Sequence, residues 1–267
     1  MENTSTGFAV SRDGGVLRID LDRSARKNAL DAATVCRLIE VFTAAATDDD
    51  LRVVVLGSRG PDFCSGADWV RTNRGDQPRP RTGAVQRRTA VEAHRLVQLI
   101  TEVQLPVVCA VRGYAAGLGC QLALAADFTV AAEDSCFWEP FVQRGFSADG
   151  GATWLLPRLA GVARAKDMLL LGRKVTGAEA AAWGMIHRAV PAADVESAAA
   201  DVVERLAVGP TVAVGLTKRA IHRGLSLGLG DAMEYEATAL ELSSRTTDFK
   251  EGLAAFTQRR PPRFTGR

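Results

Sequence analysis

Two stretches of this chain have the residue types and spacing to act on a substrate: Gly60-Pro61-Asp62-Phe63-Cys64-Ser65-Gly66-Ala67-Asp68 and Gly113-Tyr114-Ala115-Ala116-Gly117-Leu118-Gly119-Cys120-Gln121. Each follows a short apolar strand and leads through small residues toward a helix. Such a turn leaves backbone N–H groups without intrahelical partners and aims them at whatever lies in front. Two turns facing each other can grip one oxyanion from both sides. Three chemistries use turns of this kind. Dinucleotide binding wants G-x-G-x-x-G, but Gly117-Leu118-Gly119 is followed by Leu122 where the third glycine belongs. A nucleophile elbow wants glycine two residues after the nucleophile, and Leu122 stands two residues after Cys120. Cys120 therefore reads as a small packing residue. The third chemistry needs no nucleophile: the N–H donors polarise a carbonyl while an acid or base acts at its α-carbon. A thioester is the natural substrate, because its α-proton is removable once the enolate oxygen is stabilised.

The elements that must position these loops can be read along the chain. Residues 7–21 read as a hairpin around Asp13-Gly14-Gly15. A helix starts at Asp31, a good N-cap, with Val35, Leu38, Ile39 and Phe42 on one face. Strands are expected over 53–56, 107–111 and 128–131, with a helix through His94, Leu96, Leu99 and Ile100 and another over 118–126. Residues 71–90, polar and Arg-rich with Pro78 and Pro80, read as a mobile excursion. Past Gly150 the pattern is mainly helical, with helices near 150–158, 162–171, 177–183, 192–207, 210–226, 230–245 and 248–260. This divides the chain into an α/β core, 1–205, and a C-terminal helical region, 206–267, whose apolar faces must pack on the core or on another subunit.

Composition narrows the function classes. The chain has 267 residues, 47% hydrophobic and 24% charged, with net charge +2, so bulk charge does not argue for nucleic acid or a membrane surface. Five scattered cysteines without a C-x-x-C, and no secretory leader, read as reduced thiols in a cytoplasm. No apolar run approaches a membrane span. The histidines His94, His187 and His222 lack metal-ligand spacing, so no metal is expected.

Five segments in order resemble the crotonase superfamily, the enoyl-CoA hydratase/isomerase family, over nearly the whole length. They are Arg26-Lys27-Asn28-Ala29-Leu30, Phe63 to Asp68, Gly113 to Gly117, Gly150 to Arg158, and Ala178 to Gly184. The resemblance implies a crotonase-like α/β spiral of ββα units with a C-terminal helical trimerisation region, giving a homotrimer or a hexamer built as a dimer of trimers. It implies an acyl-CoA thioester as the substrate, with coenzyme A part of that substrate and no separate cofactor. By position the oxyanion donors are the N–H groups of Ala67 and Leu118, the latter often glycine in the family. The Ser65 carbonyl would meet the adenine end. Backbone contacts near Arg26 and Asn28, and Lys27 near phosphate, would complete the coenzyme site, with Phe256 and Arg259 reaching it, sometimes from a neighbouring subunit. Asp68 reads as a structural N-cap.

The acids decide what the thioester undergoes. The family's hydratases use two glutamates, and this chain has Gln121 and Phe141 at those positions. Neither moves a proton near neutrality, so ordinary hydration is in doubt. Glu139, two residues from the expected place, reads as a solvated or ion-paired carboxylate. Asp149 occupies a position that some isomerase members use, among them the ring-epoxide isomerases of phenylacetyl-CoA breakdown; the competing reading is an N-cap. One carboxylate suffices to take a proton from the α-carbon of a 3-enoyl thioester and return it at the γ-carbon. Trp69, Phe137, Trp138, Phe141 and Phe146 offer apolar walls that would raise the Asp149 pKa, and Trp138 and Phe141 flank the expected site. The alternatives are hydration through a water held by Gln121, and an acyl-CoA binding protein without turnover. Aryl-CoA dehalogenases of the family pair such an Asp with a helical His, a position His94 shares; the simpler reading of His94 is surface packing.

Overall fold

The computed structural model describes residues 7–68 and 81–267. Strands β1 (Phe8–Asp13) and β2 (Val16–Leu21) form the expected hairpin, closed by Gly14 and Gly15 alone, with Asp13 pairing with Val16. Helix α1 (Ala32–Ala45) begins where Asp31 accepts a hydrogen bond from the Thr34 N–H, and it buries Val35, Leu38 and Phe42. Strand β3 (Val53–Ser58) then pairs parallel with β2. Two short helices follow, α2 (Ala84–Val91) and α3 (Ala93–Glu102). The first corrects the excursion expected over 71–90: Ala, Gln and Arg are good helix formers once Pro80 is passed. Residues 69–80, with Trp69, lie outside the described residues.

Strands β4 (Val107–Val111) and β6 (Phe128–Ala132) continue the sheet, and β9 (Arg188–Val190) ends it, in the order β1-β2-β3-β4-β6-β9. Every pairing beyond the hairpin is parallel. A second, three-stranded sheet joins β5 (Tyr114–Ala116), β7 (Cys136–Trp138) and β8 (Val175–Thr176). These strands of two or three residues carry no period of their own.

Alternate residues of the large sheet enter two cores. Val54, Leu56, Val107 and Cys109 join a cluster with α1, α3 and α4 (Leu118–Ala125). Val53, Val108, Ala110 and Val130 pack against the helix over Val195–Ala207 on the other face. Burial on both faces is why the central strands run apolar without alternation.

Helices α5 (Ala152–Ala160), α6 (Val162–Leu170) and α7 (Gly177–Ala182) precede that helix, α8. Helices α9 (Thr211–Gly224), α10 (Leu229–Ser243) and α11 (Thr247–Gln258) complete the chain. Lys218 of α9 ties this region to the core: buried, it donates to the carbonyls of Ile100 and Leu105 and lies 2.7 Å from Asp127. Large apolar side chains nonetheless remain exposed on these helices, among them Ile221, Met233, Leu240 and Phe256. No helix among the described residues is long and apolar enough to cross a membrane.

Candidate active site

The first loop is zipped between two backbone segments. On one side the Ser65 N–H donates to the Lys27 carbonyl, the Leu30 N–H to Gly66, and the Asp68 N–H to Leu30. On the other the Cys64 N–H donates to Tyr114, and the Ala116 N–H to Cys64. In such a parallel bridge successive peptide groups point to opposite sides. The Ala67 N–H, between two groups bonded toward Leu30, is therefore turned toward the second loop, and it has no acceptor among the described residues.

The second loop meets it there. Gly117, at φ +51°, turns the chain out of β5, and its N–H donates to the Trp138 carbonyl. Leu118 opens α4 with its own N–H unpaired among the described residues, as the first turn of a helix requires. The loops touch closely. A Cβ on Gly66 would lie 2.6 Å from the Ala116 carbonyl oxygen and 3.4 Å from the Leu118 nitrogen, and Gly66 has φ +94°. A Cβ on Gly119 would fall 2.4 Å from the Cys64 carbonyl oxygen. Only glycine allows this approach. The buried Leu118 side chain finds its room in the main core and along the cavity wall.

Ala67 and Leu118 line one cavity with Ser65, Gln121, Phe141 and Asp149. The Phe141 and Phe146 rings meet edge to face, 5.5 Å between centroids, and both line it. Phe137 is fully buried elsewhere in the core. Trp138 is a correction: it is not among the lining residues, because its indole N–H is held by the Gly172 carbonyl and the Lys174 ammonium covers its ring. The sequence reading missed Val85, Arg88 and Arg144 in the wall. Val85 and Arg88 belong to α2, the helix hidden in a polar stretch.

Asp149 is half-buried, with its carboxylate 3.8 Å from His94 Nε2. Burial pushes its pKa up, and the neighbouring His94 pulls the other way. It caps no helix: α5 has Gly151 at its N-cap without a side-chain bond, and only the Asp149 backbone carbonyl accepts from Ala152. His94 stands against Asp149 but is not among the residues that line the cavity.

Gln121 is buried, its amide nitrogen donating to the Asp149 carbonyl at 3.1 Å and to Glu139 Oε2 at 3.4 Å. Glu139 overturns its reading as a solvated or ion-paired group. It is 0% exposed and, among the described residues, makes no ion pair. Burial holds its pKa well above the carboxylate range. The Cys120 thiol, fully buried, is pushed well up too, so it is no nucleophile.

The coenzyme positions are mixed. The Ser65 carbonyl has no donor among the described residues. Lys27 lies over the Tyr114 ring at 4.5 Å and 3.6 Å from Asp62, with its charged end exposed. Arg26 pairs with Asp68, which Arg23 also approaches at 3.7 Å, so Asp68 anchors this segment by charge. Asn28 is 1% exposed and wholly occupied: its amide binds the Arg23 N–H and the carbonyls of Arg59 and Asp62. It shapes the segment and touches no ligand from the cavity. Phe256 and Arg259, at the end of α11, are not among the cavity's lining residues; Phe256 is 85% exposed.

The sequence pattern of the "Enoyl-CoA hydratase/isomerase" family matches residues 11–267. The chain belongs to this family, within the crotonase superfamily, and is an enzyme acting on acyl-CoA. It is 35% identical to 1,2-epoxyphenylacetyl-CoA isomerase of Escherichia coli (strain K12), over 95% of this chain and 96% of that protein. A Rhodobacter capsulatus protein named "Probable enoyl-CoA hydratase" is 40% identical, over 95% of each chain. The crystal structure of enoyl-CoA hydratase from Bacillus anthracis superposes with a TM-score of 0.90 at 30% identity, covering 98% of this chain and all of that one.

Proposed function

We propose that this enzyme isomerises the double bond of an enoyl-CoA, with Asp149 carrying the proton. The observation that supports this most is the half-buried carboxylate of Asp149 in the cavity that holds the free N–H groups of Ala67 and Leu118; Asp68, which also lines it, is taken up by Arg26, and Glu92 lines it as well. The thioester oxygen of a 3-enoyl-CoA sits between the two N–H donors. The Asp149 carboxylate removes the α-proton. Electrons shift toward the thioester oxygen, and the dienolate is held by both loops. Asp149 then returns the same proton at the γ-carbon, leaving the 2-enoyl thioester. Burial, which raises the affinity of Asp149 for a proton, makes it a stronger base than an exposed aspartate. His94, 3.8 Å away, offsets part of that rise.

Hydration is the less favoured reading. Phe141 supplies no proton, and the Gln121 amide nitrogen is committed to Glu139 and Asp149 rather than to a water. A binder without turnover leaves the Asp149–His94 pair without a purpose. Ser65 and Lys27 would serve coenzyme A from this chain; Arg26 would contribute through its backbone. Phe256 and Arg259 would serve from a neighbouring copy in a homotrimer or hexamer, an assembly the exposed apolar residues of α9 to α11 favour. The free thiols of all five cysteines fit a cytoplasmic enzyme. Assaying 3-enoyl-CoA isomerisation beside 2-enoyl-CoA hydration, for the native protein and Asp149→Asn, tests the reading. Isomerisation is expected to dominate and to be lost in the variant; dominant hydration that survives it would overturn the proposal.

A further inference from the structure

We infer that Glu139 is a positioning residue for this site: its carboxyl group fixes the amide of Gln121, and Gln121 in turn fixes the loop that carries Asp149. Glu139 follows β7 directly and precedes Pro140 and Phe141, which line the cavity. Its side chain is fully buried behind that wall, against α4. Gln121 Nε2 is shared between Glu139 Oε2 and the Asp149 carbonyl, so one amide links the buried acid to the catalytic loop. The loop is shaped around that amide. Gly150, at φ +61°, leaves space only a glycine can leave: a Cβ there would lie 1.8 Å from Gln121 Oε1. A rotation of the amide would therefore displace Gly150 and its neighbour Asp149.

The surroundings of Glu139 require it to be uncharged. The groups facing it are the Cys120 thiol from α4 and Asp149 from the loop, a like charge. His94 of α3 stands against Asp149, and Cys136 lies on the strand that leads to Glu139. Lys174 covers the ring of Trp138, the residue before Glu139. Ionising Glu139 would bury a second negative charge beside Asp149, which an enzyme that needs Asp149 ionised must avoid. Glu139 Oε1 has no hydrogen-bond partner among the described residues. A buried polar atom left so is costly for stability alone, and a leucine would fill the space more cheaply.

This inference rests on Asp149 as the proton carrier, so its test has a readout independent of turnover. Glu139→Gln and Glu139→Leu are compared with the native enzyme in kcat and KM against pH, and in amide hydrogen exchange across 147–155. The Ala152 N–H, bonded to the Asp149 carbonyl, reports the loop directly. Glu139→Gln keeps native kcat at neutral pH and abolishes a loss of kcat that the native enzyme shows at alkaline pH. Glu139→Leu loses kcat by on the order of 10- to 100-fold with KM little changed, and exchange at Ala152 accelerates. Native kcat and exchange in Glu139→Leu would reduce Glu139 to a spacer and overturn the inference. So would a Glu139→Gln variant as impaired as Glu139→Leu at every pH, because Glu139 would then move a proton itself. Should Glu139→Leu fail to fold, the alkaline limb decides alone: its persistence in Glu139→Gln contradicts the inference. If instead Asp149→Asn still isomerises, the functional reading falls, while the exchange data still say whether Glu139 orders the loop.

Discussion

Lys218 and Glu139 are both buried ionisable side chains, and the protein treats them in opposite ways. Lys218 has Asp127 at 2.7 Å and two carbonyl acceptors, so its charge is compensated and its donors are used. Glu139 has one long hydrogen bond from an amide, a thiol beside it, and an oxygen without a partner. The first arrangement joins the C-terminal helices to the core. The second stands directly behind the loop that carries Asp149. Complete compensation marks a joint; under the proposed function, incomplete compensation marks a place where stability is given up to hold the proton carrier.

The comparison breaks most visibly at the joint. Lys218→Met leaves Asp127 with a buried charge and less to answer it, and should cost on the order of 3–5 kcal/mol. Glu139→Gln should have the opposite sign. Its folded pKa lies well above the ordinary 4.5, so above pH 4.5 the unfolded chain is ionised while the folded chain still holds the proton. Native stability therefore falls as pH rises past that value, and the variant escapes the fall. Denaturant titrations of both variants at pH 4 and pH 8 check this; a Glu139→Gln gain at pH 8 that is absent at pH 4 supports the contrast.

Next in size is the loop contact. Gly66→Ala forces a methyl group against the Ala116 carbonyl at a backbone angle alanine rarely adopts. It should separate the Ala67 and Leu118 donors and lower kcat by about 10²-fold, the typical loss of one oxyanion donor. Steady-state kinetics with unfolding as a control would separate this from a stability effect. The smallest effect belongs to His94→Gln. Removing His94 removes the interaction that lowers the Asp149 pKa and leaves burial, which raises it. Because the base must be ionised, the acid limb of the kcat profile should move to higher pH, with the plateau little changed.

Much of this was readable from the residue string, for physical reasons that also explain what was not. The central strands are buried on both faces, so 53–56 and 107–111 announce themselves as apolar runs, and Asp31 announces its helix by capping it. Strands β5, β7, β8 and β9 are too short to show a period. Helix α2 was masked by a polar surface and two nearby prolines. The two glycine-bearing loops were legible because glycine spacing is local. The proximity of His94 to Asp149 was offered only through the family resemblance and set aside for packing, since it joins residues that only the fold brings together. Glu139 is the instructive miss. A charged residue is read as solvated by default, yet it lies within Cys136-Phe137-Trp138-Glu139-Pro140-Phe141, and a lone acid inside an apolar run is itself a signal of burial.

The central claim is that one carboxylate, held in the cavity of the two loops, moves the proton. Asp149→Asn keeps the size and hydrogen-bonding shape of the side chain and removes the base. Its kcat for 3-enoyl-CoA isomerisation, measured with folding and thioester binding intact, should fall by on the order of 10²- to 10⁴-fold. A variant that isomerises at the native rate would contradict the account.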